Sequence, residues 1–203
     1  SIGMCIIPII VTIIIVLLAL FVTAIYFPKL EKYVQIICMI PYTIQGVILS
    51  VSILSLYVGS SSILSNRLVM LMGAYCIVIL PYIYQGIRNG MRAVNMPTLI
   101  EAAEMLGASK IYAFFRVVVP NILSAIIVSS LLAVGIIFGD YVLIRNLAGT
   151  SAPNMQIFLY QTMKSDSTKA SAVFVVIMFV TFVITAIVLF VKSREAKGKT
   201  HRK

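Results

Sequence analysis

Asp140 is the one carboxylate inside the long apolar runs of this chain, and its neighbours in kind are uncharged. Tyr42, Thr43 and Gln45 follow Pro41; Tyr82, Tyr84 and Gln85 follow Pro81; Ser129 and Ser130 interrupt a run of aliphatics; Tyr141 follows Asp140. Polar groups in apolar helices are costly to place in a bilayer, so by default they read as the lining of a route for polar solutes. Such side chains attract cations and exchange hydrogen bonds; they do not break covalent bonds. For each tyrosine, an interfacial belt or packing role competes with pathway lining, the more so because the chain has no Trp. For Asp140, attraction of a cationic substrate competes with a solvated carboxylate at a helix end beside Arg145.

Bond-making chemistry lacks residues. Cys5, Cys38 and Cys76 lie in separate apolar runs without C-x-x-C spacing, which suits small apolar packing residues rather than zinc or redox sites. The lone histidine, His201, is in the tail. Gly198-Lys199-Thr200 ends like a phosphate loop, but Ser193 stands where its first glycine belongs and no strand precedes it. No cofactor site is expected in this chain.

A second constellation lies between Arg88 and Val118, thirty-one residues and far more than a turn requires. Asn95 or Met96 can cap a helix, Pro97 suits its first turn, and Glu101 and Glu104 complement the N-terminal end of its dipole. Gly107 stops that helix, and Ser109 caps a second one through Tyr112, Phe114 and Phe115. Small Ala102, Ala103 and Ala108 beside aromatic anchors suit docking into a partner's groove, with an amphipathic helix lying on lipid as the plainer alternative.

The elements that position these groups follow from composition. With 61% hydrophobic and 11% charged residues and a mean hydropathy of +1.09, the chain has too little polar surface for water to be its solvent. Runs of about 20 apolar residues span a bilayer, and five are expected: 2–27, 35–58, 68–87, 119–144 and 170–191. The fold class is therefore an all-α polytopic transmembrane bundle, with a membrane domain over 1–192 and a basic tail over 193–203. The net charge of +10 reads as topology, with no nucleic-acid partner implied. Twelve of the sixteen Lys and Arg fall in one alternating set of connections and the tail, four in the other, which places the 88–118 loop and the C-terminus in the cytoplasm. An external start without a signal-like segment predicts a sixth, upstream span missing from this sequence.

Glu101-Ala102-Ala103, three residues, Gly107, nine residues, then Val117-x-Val119-Pro120 resembles the EAA loop of ABC importer permeases, with Val117 and Val119 where that family has Ile and Leu. The span pattern resembles the type I importer fold over essentially the whole chain. The resemblance implies that Glu101, Ala102, Ala103, Gly107, Ala108, Ser109 and Pro120 belong to a cytoplasmic coupling-helix loop seated on a separate ATPase subunit, which would bind the ATP and Mg. It implies a second permease subunit, a paralogue in the closest group, an external or periplasmic substrate-binding protein, and a bacterial inner-membrane location. Phe138-Gly139-Asp140-Tyr141 and Leu147-Ala148-Gly149 look similar to the polyamine, iron and thiamine group, which implies a small cationic or polar solute.

The pathway residues read from the sequence are thus Tyr42, Gln45, Tyr82, Gln85, Ser129, Ser130, Asp140 and Tyr141. Gly86-x-x-x-Gly90 and Gly135-x-x-x-Gly139 read as close helix-packing stripes. In the external loop 145–169, Met155, Phe158, Leu159, Thr162 and Met163 share one face of a short helix, to lie under the binding protein or as a lid on the bundle. The alternative function, an ATP-independent channel or secondary transporter, would lean on intramembrane charges or repeats.

Overall fold

A computed structural model describes residues 2–44, 46–57, 66–149, 155–165 and 167–200, and every regular element among them is helical. In order these are α1 (Ile2–Ile25), a 3-10 turn (Pro28–Leu30), α2 (Glu31–Thr43), α3 (Gly46–Tyr57), α4 (Arg67–Ala93), α5 (Met96–Met105), α6 (Lys110–Ala113), α7 (Val119–Asn121), α8 (Leu123–Gly139), α9 (Met155–Ser165) and α10 (Ser167–Thr200). π-helical turns occupy Phe114–Val118 and Ile144–Ala148.

α1 shows how an apolar helix chooses its faces. Cys5, Ile9, Thr12, Val16, Leu20 and Thr23 recur at three- and four-residue steps and are buried, while Ile6, Ile7, Ile10, Ile14, Ile15 and Leu18 are exposed around the other side. Large aliphatics facing outward in such numbers fit contact with lipid tails, which leave packing rather than hydrophobicity to hold helices together. α4 is the centre of the bundle: Leu71, Ala74, Tyr75, Ile79, Ile83, Tyr84 and Ile87 are all nearly or fully buried, chiefly against α1 and α8. Asn66 starts it, its Oδ1 accepting from the Leu68 N–H at 3.1 Å.

Three single helices are long and apolar enough to cross a membrane, Cys5–Ile25, Arg67–Ala93 and Thr168–Ile187. The other two expected spans are bent. Pro28–Thr43 and Gly46–Tyr57 meet at 97°, and Lys110–Asn121 and Leu123–Gly139 at 64°, so five spans are reached only when each bent pair counts as one. The first bend has local causes: Pro41 supplies no N–H to the ladder, the Thr43 hydroxyl donates to the Ile40 carbonyl at 2.8 Å, and Ile44 is extended at ψ 114°. At the second, Pro120 withholds an N–H and the Asn121 side chain donates to the Val117 carbonyl at 2.8 Å.

The expected fourth span ran on to residue 144, but α8 ends at Gly139. Asp140 turns the chain, and the segment behind it folds back into the bundle, where Leu143, Ile144, Leu147 and Ala148 are buried. Two residues of the loop expected outside, Leu147 and Ala148, are therefore core, while Arg145 stays exposed. α10 continues without a break through Thr200, so the basic tail begins inside a helix.

Candidate functional site

Two regions gather the residues singled out by the sequence. The first is the hairpin of α5 and α6. Asn95 takes a left-handed conformation at φ 51°, which reverses the chain out of α4; it occupies the N-cap position of α5 without making a side-chain capping bond. Met96, Ile100 and Ala103, at four- and three-residue steps, bury one face of α5. Glu101, Ala102 and Glu104 are exposed on the other. Gly107, at φ +83°, closes the helix: its N–H donates to the Glu104 carbonyl at 2.9 Å and the Ala108 N–H to the Ala103 carbonyl at 3.0 Å. This paired arrangement satisfies the last carbonyls of α5 and needs a residue that tolerates positive φ. Ala108 is half-buried behind it, and Ser109 Oγ accepts from the Tyr112 N–H at 3.3 Å to start α6.

The aromatic residues of this hairpin divide. Phe114 is fully buried, with its ring centroid 4.9 Å from that of Phe21, and Phe115 packs edge-on to it at 5.3 Å. Phe114 fastens the hairpin to the end of α1, while Phe115 keeps an exposed surface. Tyr112 stays exposed, as does Pro120 at the start of α7. The most freely presented apolar residues are Met105 and Leu106, each 89% exposed at the tip. Sequence reasoning passed over them, although two apolar residues just before a helix-ending glycine must sit at the apex of the turn.

Beneath α5 lies a cavity of about 540 Å³, walled by Thr23, Glu31, Arg88, Arg92, Glu101 and Glu104 among others. Glu31 Oε1 accepts from Arg88 Nη2 at 2.7 Å and Nε at 2.9 Å, with Arg92 Nη2 at 3.5 Å. The Arg88 side chain is only 14% exposed, so this pair ties the start of α2 to the end of α4 more firmly than the outer pair Lys110–Glu104, 3.8 Å apart in solvent.

The second region is a groove between α4 and α8. A Cβ built on Gly86 would lie 2.5 Å from Ser129 Cβ, and one on Gly90 2.5 Å from Ala125 Cβ, so this glycine stripe is where the helices touch. At Gly135 and Gly139 nothing lies within 4 Å of the added carbon, so the packing role expected of that second stripe is not found within this chain's described residues. Beside the crossing is a cavity of about 420 Å³ lined by Tyr82, Gln85, Asn89, Asn121, Ser124 and Ser129 and by apolar groups. The Tyr42 ring lies tilted against that of Tyr82, centroids 5.8 Å apart, and Gln85 Nε2 rests 3.2 Å from Met39 Sδ. Ser129 and Ser130 donate to carbonyls of their own helix, at 2.9 Å and 2.7 Å. Gln45 lies outside the described residues. Asn89, Asn121 and Ser124 were missed; Asn89 was legible as the next member of the row Tyr82, Gln85, Gly86, one helical turn on.

Asp140 and Tyr141 stand apart from this groove, at the far end of α8. Asp140 Oδ2 accepts from the Tyr75 hydroxyl at 3.3 Å, the Leu143 N–H at 3.2 Å and the Ile144 N–H at 3.4 Å. It is half-buried and caps the re-entering segment, held there by three donors. Asn146 Nδ2 donates to the buried Ser50 Oγ at 2.8 Å and pins the same segment to α3.

Tyr141 belongs to a surface cluster. Its hydroxyl accepts from Arg145 Nη1, its ring lies 5.1 Å from that of Tyr160, and the Arg145 guanidinium carbon sits 4.8 Å above the Tyr160 ring. Lys164 Nζ is 5.0 Å from the same ring. Hydrogen bonds from Arg145 and then Lys164 hold the Tyr160 hydroxyl below the ordinary tyrosine pKa. α9 thus turns Ile157, Tyr160 and Lys164 toward the chain, while Phe158 and Met163 are exposed, which does not fit their use as a lid packed on the bundle.

Compared with known families, residues 6–195 match the model described as "Binding-protein-dependent transport system inner membrane component". No curated protein matches the chain.

Proposed function

The chain belongs to the binding-protein-dependent transport system inner membrane components, and from that premise we propose that it is the permease subunit of an ABC importer, coupled to a separate ATPase through the α5–α6 hairpin. Permeases of this family work with ATPase and binding-protein partners. The observation that carries the coupling reading is the hairpin's presentation: Glu101 and Ala102 on an exposed face, and Met105 and Leu106 bare at the tip of a turn that Gly107 closes. Isolated apolar side chains on a loop need no partner, but two adjacent ones at 89% exposure beside a carboxylate form a compact anchor for a groove. Ala103 and Ala108 lie underneath and allow close approach, and Ser109 and Pro120 hold the following turns. ATP and Mg belong to the partner in this reading, and the hairpin and C-terminus face the cytoplasm of a bacterial cell.

The α4–α8 groove with Tyr42, Tyr82, Gln85 and Ser129 is this subunit's share of the translocation pathway, completed by a second, paralogous permease. Its lining by uncharged hydrogen-bonding groups supports a polar solute. The cationic, polyamine-like reading rests on the short resemblance around Asp140. Transport is then a population shift between two bundle arrangements, biased by ATP through the hairpin.

The test is purification of the tagged chain in mild detergent with its associated proteins identified by mass spectrometry. Recovery of an ATPase, lost in Glu101→Arg and Leu106→Asp variants that still insert in the membrane, is the expected result. Unchanged recovery with both variants would remove the hairpin from the coupling role.

A further inference from the structure

Two helices long and apolar enough to cross a membrane end at the same cavity. Thr23 and Ile25 at the close of α1 and Arg88 and Arg92 at the close of α4 wall, together with α5, the space of about 540 Å³ described above. It therefore lies at the level where hydrocarbon gives way to headgroups. Its size falls in the range of about 300–1,000 Å³ typical of sites for small ligands.

The lining carries balanced charge: Glu31, Glu101 and Glu104 against Arg88, Arg92 and Lys110. Arg88 closes on Glu31 through two donors, at 2.7 Å and 2.9 Å, and Lys110 lies 3.8 Å from Glu104. Arg92 is 62% exposed and meets Glu31 only at 3.5 Å, on an oxygen that Arg88 already occupies. Glu101 enters no ion pair among the described residues, with Arg92 or any other cation. The rim thus presents one loosely held cation and one unpaired carboxylate, with a gap between them.

A ligand of either single sign meets repulsion here. A bare phosphate on Arg92 would face the three carboxylates, and a bare ammonium on Glu101 would face the three cations. A zwitterion whose phosphate and ammonium are joined by a short link satisfies both. Below the rim, Leu20, Met91, Met96 and Ile100 are apolar and buried, which suits glycerol and the first acyl carbons better than a fully hydrated solute.

We propose that this cavity binds the headgroup of an aminophospholipid of the phosphatidylethanolamine class. Arg92 takes the phosphate on its planar fork of donors, and Glu101 accepts from the primary ammonium. A choline headgroup has no N–H to give Glu101, and a glycerol headgroup has no cation. The bound lipid braces α5 against the ends of α1 and α4, while Ala102 and the exposed Met105 and Leu106 stay clear of it for a partner. Only the placement of α1 and α4 in the membrane is needed for this, so loss of the coupling reading would leave it standing.

The test uses the chain purified with its associated subunits in mild detergent, stripped of lipid and titrated with dioctanoyl phosphatidylethanolamine, phosphatidylcholine and phosphatidylglycerol, with bound lipid counted by native mass spectrometry. Wild type should bind the ethanolamine lipid about tenfold more tightly than the other two, the scale of one charge-assisted hydrogen bond. Arg92→Gln should weaken the ethanolamine and choline lipids alike, by about tenfold, and Arg92→Lys should weaken them less. Glu101→Gln should bring the ethanolamine lipid down to the level of the choline lipid and leave the choline lipid unchanged. Damage to the fold gives no such split: parallel losses for all three lipids in both Gln variants, or equal wild-type affinities for the three, would overturn the assignment. Tightest binding of the glycerol lipid would overturn it in favour of a plain cationic patch. Equal binding of glycerophosphoethanolamine, which has no acyl chains, would overturn the lipid source in favour of a soluble zwitterion.

Discussion

Replacing Gly90 with alanine asks how tightly α4 and α8 are drawn together. The added carbon would stand 2.5 Å from Ala125 Cβ, at least about 1 Å inside ordinary carbon–carbon contact, and 3.6 Å from Ile122 Cβ. Neither neighbour is the loose end of a flexible side chain, so relief requires the helices to separate. Overpacking of this kind costs about 1–3 kcal/mol. At about 2–4 °C per kcal/mol for a chain of this size, the melting midpoint in detergent should fall by roughly 2–12 °C. Gly86→Ala, at 2.5 Å from Ser129 Cβ, should behave alike. Gly135→Ala is the control: with nothing within 4 Å, it should be neutral or raise stability by up to about 1 kcal/mol through helix propensity. The decisive variant is Gly90→Ala combined with Ala125→Gly, which moves the methyl group to the facing helix and should recover most of the loss, a coupling that independent sites do not show. Equal midpoints for Gly90→Ala, Gly86→Ala and Gly135→Ala, or strictly additive effects in the double variant, would refute the close approach.

At Gly107 the space is open but φ is +83°, so alanine should weaken the turn by about 1–2 kcal/mol while asparagine, which tolerates that conformation, does less harm; co-purification of the ATPase ranks the three. Tyr75→Phe removes one donor to Asp140 and should lower stability by about 1 kcal/mol, read by thermal unfolding. Asp140→Asn keeps an acceptor for the capping N–H groups, so assembly should survive; uptake of a cationic solute should fall if the carboxylate serves the substrate and stay level if it serves only the cap. The Tyr160 hydroxyl, stabilised as the anion by Arg145 and Lys164, should ionise at lower pH than an ordinary tyrosine, and Arg145→Gln should move the ultraviolet titration back upward.

Much of this architecture is written in runs and punctuation. Apolar runs marked the membrane-crossing material, and Gly107 followed by Ser109 marked the end of one helix and the start of the next, because left-handed backbone and a capping hydroxyl are properties of single residues. Direction is different. A run of apolar residues reports only the solvent around it, so Gln35 to Val58 read as one span although the chain bends by 97° within it. Asp140 reads as an acid at a helix end, and it stands there; what the sequence could not show is its third donor, the Tyr75 hydroxyl, which comes from 65 residues away. The sequence leaves open which way α9 presents its apolar face for a related reason: Phe158 and Met163 are exposed, and the contacts of Arg145 and Lys164 with the Tyr160 ring arise only between separate segments. A GxxxG pattern likewise says that a close approach is permitted, and only the Gly86 stripe has a helix to meet.

α4 has both of its ends occupied: the α5–α6 hairpin hangs from its C-terminus through Asn95, and Arg67, beside Gly149, stands in its first turn. Twenty-seven residues at about 1.5 Å each make a strut of about 40 Å, so a tilt of about 5° about its inner end carries the outer end roughly 3.5 Å sideways. That displacement exceeds the tolerance of a hydrogen bond or a cation on a ring. One helix tilting as a lever would therefore move the hairpin and the outer cluster together, with no need for a relay from residue to residue through the bundle.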